Sequence, residues 1–382
     1  MEQPVAQHAR LSPSAAHRWV RCPGSISMCE QFPDNEPSSA AEEGTATHWI
    51  ASEALQGRMQ PVGTKAPNGV ITTTEMFECA GVYVSAVNEV AGSLPLAVEQ
   101  PMRCSEIHPD CWGTPDLWYY NPAVSELHVW DYKHGFGIVE PYENWQLLCY
   151  SSGALCQVAT QLRVGPGELD QTVTTVLHIV QPRPFHEHGH HREWRQKAWF
   201  LRGYVNTLAS AAGKALTLQA ECSTGGHCKY CSARHACPAL QKAVMVAVDY
   251  CSEARAVQLS PDALARELRV LTRMEELVKA LKTGREQQAI GLIQAGGGVP
   301  GFALENGKGR RAWNRPVEEV LALGSMLGVG LAEAPAAVTP AQAIKRGLSA
   351  DVVNAYSDVP STGYKLVSSD RSMASLAFKK LG

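Results

Sequence analysis

The chain has 382 residues, 45% of them hydrophobic and 19% charged, with a formal net charge of −3. That balance excludes a disordered polymer, and the length excludes a small disulfide-stapled domain because it supports a full hydrophobic core or two. No apolar run reaches the ~18 residues of a membrane span, and the near-neutral charge excludes a protein that is basic overall, though a local basic groove stays open.

Residues 1–40 are rich in Pro and Ser and read as irregular, apart from a short helix opened by Ser12-Pro13 around Ala15–Val20. The sequence MEQPVAQHAR lacks the basic-then-apolar order of a secretory leader, so a cytoplasmic protein with no membrane partner is expected. Residues 40–57 predict a helix ending at Gly57, and 75–92 a second one. The period then changes. Segments 95–102, 112–120, 126–133 and 171–181 are short, rich in Val, Trp, Tyr and Thr, and bounded by turn residues, which predicts strands. Asn121-Pro122 joins two of them as a hairpin. Residues 142–160 and 192–221 return to helical character, the latter leading into a cysteine-rich loop. This order predicts an α/β fold, a mixed central sheet of four or five strands flanked by helices, over residues 1–240. Residues 241–382 form a mostly helical accessory region. Within it, Ser260 and Pro261 open a helix over 260–295, whose Leu264, Leu268, Leu271, Met274, Val278 and Leu281 read as a packed core stripe. GGGVPG (296–301) ends that helix, and a hairpin and short helices follow.

The most informative stretch is WGTPDLWYYNPAVSELHVWDYK (112–133). Strand alternation sends Leu127, Val129, Asp131 and Lys133 to one face. Two charges on a strand's inward face are costly unless they serve a ligand. Across the hairpin Asp116 approaches Asp131, and a divalent cation relieves the repulsion of paired carboxylates. A lysine beside them orients or activates water, which completes a minimal kit for metal-assisted phosphodiester hydrolysis. A surface strand with a simple Asp–Lys ion pair is the plain alternative.

Pro115-Asp116 followed by Asp131-Tyr132-Lys133 spells P-D…D-x-K, and here the chain resembles the PD-(D/E)XK nuclease superfamily, specifically its RecB-type branch. His48 in GTATHWIASE matches that branch's upstream helical histidine. Glu99 in LAVEQP matches its first-strand acid, and Gln146 and Tyr150 in NWQLLCY match its Q-x-x-x-Y helix. The resemblance implies a restriction-endonuclease-like core. His48, Asp116, Asp131 and the Tyr132 carbonyl would hold Mg²⁺ or Mn²⁺. Lys133 would position the attacking water, and Gln146 and Tyr150 would contact the DNA backbone or orient the site, with Glu99 among the catalytic group. The implied activity is a DNA exonuclease acting on single-stranded or duplex ends in recombination or repair. It would be phage- or prophage-encoded, with a strand-annealing protein or helicase as partner; an oligomer is compatible with this. A catalytically silent DNA-binding scaffold and a zinc-loop interaction protein are the alternatives.

Twelve cysteines are many for a reducing compartment, where disulfides are not expected; Cys104, Cys149 and Cys156 sit in apolar runs and read as small hydrophobes. Cys222, Cys228, Cys231 and Cys237 crowd one loop and read as metal binding. In part of the RecB-type branch a [4Fe-4S] cluster closes the domain. The resemblance assigns Cys22 as its first ligand and Cys228, Cys231 and Cys237, spaced C-x2-C-x5-C-P, as the others, with a stapling rather than a redox role. A local Zn²⁺ site of Cys222, Cys228, Cys231 and Cys237, with His227 or His235 as substitutes, is the rival.

HEHGHH (186–191) reads as a polar loop or a metal site, and Arg183 as a phosphate contact or a surface arginine. In GKGRRAWNR, Lys308, Arg310, Arg311 and Arg315 flank Trp313, which suits a nucleic-acid backbone or a solvated hairpin equally. No Walker loop is encoded.

Overall fold

The computed structural model describes residues 9–32, 37–252, 258–308, 312–313, 315, 317–333, 336–337, 340–358 and 361–368. The chain forms two compact units, Met1–Gly284 and Arg285–Gly382.

In the first unit, short helices α1 (Ala16–Trp19) and α2 (Ser25–Cys29) lead to α3 (Ser39–Leu55) and α4 (Thr74–Ala91). Both longer helices begin where the sequence offers an N-cap. Ser38 accepts a hydrogen bond from the Ala41 amide, and Thr73 accepts one from Met76. Gly92, at φ 56°, ends α4.

The strand region is more broken than expected. Strands β1 (Ala97–Val98) and β2 (Met102–Arg103) replace the continuous segment 95–102, and β3 (Trp112–Gly113) and β4 (Leu117–Asn121) replace 112–120. The first break falls at Glu99, whose φ of 49° lies in the left-handed region, and at Pro101. The second falls at Pro115, which has no amide to donate to a ladder. Beyond the hairpin lie β5 (Glu126–Tyr132), α5 (Trp145–Leu162), β6 (Thr174–Val180), β7 (His191–Lys197) and α6 (Ala198–Ala215). Asn144 caps α5 by accepting from both the Gln146 and Leu147 amides.

The five-stranded sheet runs β1-β4-β5-β6-β7. Its β5–β6 pair is parallel, as a crossover through α5 requires, and its other pairs are antiparallel. Mixed α/β architecture with helices on both faces is therefore realised. On one face Leu127, Val129, Leu177 and Ile179 pack with α5 and α6; on the other Leu117, Tyr119, Trp130, Tyr132 and Val180 pack with α3 and α4. Strand β5 is buried on both faces, which overturns the plain alternative of a surface strand.

Strand β7 was not expected; residues 192–221 read as helical throughout. Its residues are mostly polar because it is the sheet's edge, half exposed, and edge strands lack the apolar run that signals a central one.

The first unit continues past residue 240 through α7 (Pro238–Ser252) and into α8 (Pro261–Gln294), where Leu240, Leu277 and Ala280 pack with Cys228 and Cys237. The α8 stripe is a core stripe only in part. Leu264, Leu268, Leu271 and Val278 are exposed, while half-buried Met274 and Leu281 flank Leu277 and Ala280, through which the helix packs. In the second unit, β8 (Phe302–Lys308) pairs with β13 (Ser361–Ser368) and β9 (Ala312–Trp313) with β12 (Ser357–Asp358). The expected local hairpin gives way to this longer distant ladder. Between them lie α9 (Val317–Met326), β10 (Ala332–Glu333), β11 (Ala336–Ala337), α10 (Pro340–Lys345) and α11 (Ala350–Tyr356). Among the described residues no helix is long and apolar enough to cross a membrane.

Gly153 lets α5 sit directly on β2: a Cβ there would lie 2.7 Å from both the Arg103 carbonyl oxygen and Met102 Cγ. Helix propensity alone would make Gly153→Ala stabilising by about 1 kcal/mol. The close backbone approach reverses the sign, and a loss of about 1–3 kcal/mol is expected in urea unfolding. An unchanged or raised midpoint would show that α5 has room to move.

Candidate active site

The sheet's topology collects the charged residues at one end of β5. Asp116 stands immediately before β4, and Asp131 and Lys133 stand at the end of β5. Pairing of Leu117 with Trp130 brings the two segments side by side, and the Tyr132 amide donates to Asp116 Oδ2 at 2.6 Å.

His48 descends from α3 so that its Nδ1 lies 3.2 Å from Asp116 Oδ1. The strained backbone at Glu99 turns that carboxylate toward the same point, while the Glu99 amide donates to the Asp116 carbonyl at 3.1 Å. One ligand atom from each of His48, Glu99 and Asp116 lies within 4.8 Å of the others. They open onto a cleft of about 540 Å³, lined also by Gly44, Thr45 and Trp49. Imidazole and carboxylate donors suit a divalent metal.

Asp131 stands outside this group of three and forms a second, contiguous network. Lys133 Nζ donates to Asp131 Oδ1 at 2.9 Å and to Gln146 Oε1 at 3.1 Å, and Gln146 Nε2 donates to Asp131 Oδ1 at 2.9 Å. Asp131 is buried, and its Oδ2 receives no aligned hydrogen bond, although the ammonium is 2.9 Å away. A buried carboxylate oxygen without a donor is a ready acceptor for a cation or a water. One turn further along α5, Tyr150 donates its hydroxyl to the Thr114 carbonyl at 3.2 Å. Gly113 makes room for it, since a Cβ there would meet that hydroxyl at 2.7 Å. The Tyr132 ring packs edge-on against His48 with centroids 5.0 Å apart.

The electrostatics follow from this packing. Burial pushes Glu99 up to about 7, with help from the Asp116 carboxylate. Burial also raises Asp131, against the pull of Lys133. At Asp116 burial works upward, but His48 outweighs it and the carboxyl is held low. At His48 burial works downward, but Asp116 outweighs it and the imidazole is held above its ordinary value. Lys133 is raised because the two aspartates overcome burial, so it keeps its proton at neutral pH.

The cysteines gather elsewhere. Cys22, Cys228, Cys231 and Cys237 line one enclosed cavity of about 20 Å³, with Cys222 a fifth thiol in its wall. The N-terminal segment reaches this loop through backbone pairing: Gly24 donates to the Glu221 carbonyl at 2.9 Å, and the Ser223 amide donates to Cys22 Sγ at 3.3 Å. Gly24 is needed there, because a Cβ would fall 2.6 Å from the Ala220 carbonyl. Cys29, which sequence reasoning did not single out, places its Sγ 3.5 Å from that of Cys231. Only its position seven residues beyond Cys22 hinted at it.

The remaining candidates are engaged otherwise or lie elsewhere. Arg183 is tied to Glu75 at 2.8 Å and Glu43 at 3.4 Å, joining the exit of β6 to α3 and α4. Lys308 is the last residue of β8, in the second unit; Arg310 and Arg311 lie outside the described residues. The HEHGHH run is a turn at Gly189 that ends as His191 opens β7.

A family described as "Protein of unknown function (DUF2800)" matches residues 8–326. A crystal structure of a "Putative exonuclease" from Eubacterium rectale is similar with a TM-score of 0.32 and 9% identity, over 54% of this chain and 79% of that one. That likeness is too distant to carry an argument.

Replacing Asp116 by Asn removes the charge that raises His48. In chelator-treated protein the His48 imidazole is expected to titrate lower than in the parent, followed by NMR of the ring resonances. An unmoved midpoint would mean that Asp116 does not govern His48.

Proposed function

This chain belongs to the DUF2800 family, and we propose that it is a divalent-metal-dependent deoxyribonuclease of the PD-(D/E)XK kind, an exonuclease acting at DNA ends. The observation that carries the proposal is the junction at the end of β5. There the His48–Glu99–Asp116 group stands beside the buried Asp131–Lys133–Gln146 network, in the strand order that the P-D…D-x-K pattern requires. A cation such as Mg²⁺ or Mn²⁺, held by His48, Glu99 and Asp116 with Asp131 Oδ2 alongside, would polarise the phosphodiester. The side chains supply the rest. Lys133, kept protonated between two aspartates, donates toward charge developing on the phosphate. Gln146 accepts from the ammonium and donates to the same Asp131 oxygen, so Lys133 is held in one place before substrate arrives. Tyr150 anchors the Thr114-Pro115-Asp116 turn and positions Asp116 without touching the reacting atoms.

The thiol cavity belongs to the same reading as a staple. Its wall carries Cys22, Cys222, Cys228, Cys231 and Cys237 beside His227, Arg18 and Arg234, and it ties the segment before α3 to the loop before α7. A zinc ion at a Zn–S distance of ~2.3 Å would need its sulfurs about 3.8 Å apart. Among the described residues no three cysteine sulfurs lie within 4.8 Å of one another. Cys22 of the N-terminal segment lines the same cavity as Cys228, Cys231 and Cys237, which supports an iron–sulfur cluster held by these four over a zinc held by the loop alone.

End-labelled single-stranded and duplex DNA incubated with Mn²⁺ or Mg²⁺ tests the chemistry. Lys133→Ala is expected to lose about 10²–10³-fold in cleavage rate, and Asp131→Ala all measurable cleavage, both with DNA binding retained. Cleavage at the parent rate by Asp131→Ala would overturn the assignment. Protein purified without oxygen is expected to be brown and iron-containing, and Cys231→Ala colourless and less stable. A colourless parent with one zinc would replace the cluster by zinc and leave the cleavage test standing on its own.

A further inference from the structure

Three histidines cross the sheet in a hydrogen-bonded row on the face opposite α5. His128 Nδ1 lies 2.9 Å from His178 Nε2, and His178 Nδ1 lies 2.9 Å from His191 Nε2. They sit on β5, β6 and β7, and register places Glu193 directly across from His178. His178 is fully buried, with the Trp130 indole stacked on it at 3.7 Å and an interplanar angle of 6°. At the inner end of the row, His128 Nε2 is 3.3 Å from Glu126 Oε2.

Proton accounting fixes the tautomers. A carboxylate only accepts, so His128 carries its proton on Nε2 to donate to Glu126. Its Nδ1 is then an acceptor, and His178 must donate to it from Nε2. That leaves a lone pair on His178 Nδ1, facing His191 Nε2 and Glu193, whose Oε2 is 3.8 Å away.

We propose that His178 Nδ1, His191 Nε2 and the Glu193 carboxylate form a transition-metal site that ties edge strand β7 to β6, separate from the His48 group. One ligand atom from each of these residues lies within 4.8 Å of the others. Two imidazole nitrogens 2.9 Å apart, each ~2.1 Å from an ion, subtend about 90° at it, the angle between neighbouring ligands of an octahedral or tetragonal ion. In the metal-free row His191 donates from Nε2 to that lone pair; an ion would shift the His191 proton to Nδ1 and so turn a second lone pair to the same point. Glu193 has an oxygen to spare, because Arg195 bonds its Oε1 at 2.8 Å and leaves Oε2 facing His178. Arg195 is itself balanced by Glu126 and Glu193, so the immediate charge is negative and suits a dication. The Glu126–His128–His178 relay is the outer support that metal-bound imidazoles need to hold one tautomer. Two imidazoles and one carboxylate favour Zn²⁺, Co²⁺, Ni²⁺ or Cu²⁺ over the oxygen-seeking Mg²⁺.

Cobalt separates the donor sets. Thiol ligation gives an intense sulfur-to-cobalt charge-transfer band, whereas histidine and carboxylate ligation gives only weak visible bands. Metal-free full-length protein titrated with Co²⁺ is expected to take up an equivalent showing only weak bands and unaffected by His48→Ala. His191→Ala should lose that equivalent, and Glu126→Gln should keep it with an affinity about 10-fold weaker. Glu193→Gln, at an exposed position, covers the case in which His191→Ala does not fold, and it too should lose or sharply weaken that equivalent. Uptake unchanged in both His191→Ala and Glu193→Gln would overturn the proposal. So would the absence, in the parent, of any weak-band equivalent beyond the one that His48→Ala removes.

Discussion

The structure depends on β5 being buried on both faces. A strand in that position leaves its side chains no solvent, so every polar group on it must find a partner or be very costly. Leu127 and Val129 satisfy this by packing under α5, and Trp130 and Tyr132 by packing under α4. Asp131 and His128 cannot, and each has gathered a polar network instead. Asp131 draws in Lys133 and Gln146, and His128 draws in Glu126 and His178. The two networks leave opposite faces of one strand because the residues at their centres are three apart, and strand side chains alternate.

This also explains why the backbone is irregular where it is. A regular β1 would carry Glu99 along the sheet; the left-handed turn at Glu99 instead delivers its carboxylate to His48 and Asp116. In that cleft the Glu99 carboxyl is raised to about 7, chiefly by burial and further by the Asp116 carboxylate, against the pull of His48. Such strain persists only where the surroundings over-determine it. Here β1 is fixed by pairing with β4, and the Glu99 amide is fixed by the Asp116 carbonyl.

Much of this was legible in the sequence, for identifiable reasons. The helices over 40–57, 75–92 and 142–160 were legible from their helical character and, for the first, from its stop at Gly57; the caps Ser38, Thr73 and Asn144 are visible only in the structure. The closeness of Asp131 to Lys133 followed from strand alternation, and the reach from Asp116 to β5 followed from the Asn121-Pro122 turn. The departures have one physical cause: a pattern read along the chain is silent about what lies across from it. Residues 191–197 alternate, but their more buried members are Arg192, Trp194 and Gln196, of which only Trp194 is apolar, so no apolar period marks them as a strand. The apolar side chains of α8 recur at helical spacing, yet burial falls on Leu277 and Ala280, where α7 happens to lie. Cys29 is adjacent to nothing in sequence that suggests Cys231; only the pairing of residues 22–24 with 221–223 brings them together.

Three donor sets are thus kept apart by the same framework, and their chemistry differs in the order that the framework would enforce. The thiols lie in an enclosed cavity at the seam of the N-terminal segment, where soft ligands and a dry wall suit a permanent structural group. The imidazole row runs from buried His128 and His178 to half-buried His191 and exposed Glu193 on the edge strand, so an ion there would exchange from the sheet's edge. The His48, Glu99 and Asp116 group opens on a cleft, with the ion-paired Asp131 and Lys133 in the adjoining network. Access therefore increases as ligand softness decreases. The hardest donors thus stand at the most open of the three, and it is beside them that the chain has placed its one lysine–aspartate ion pair among the described residues.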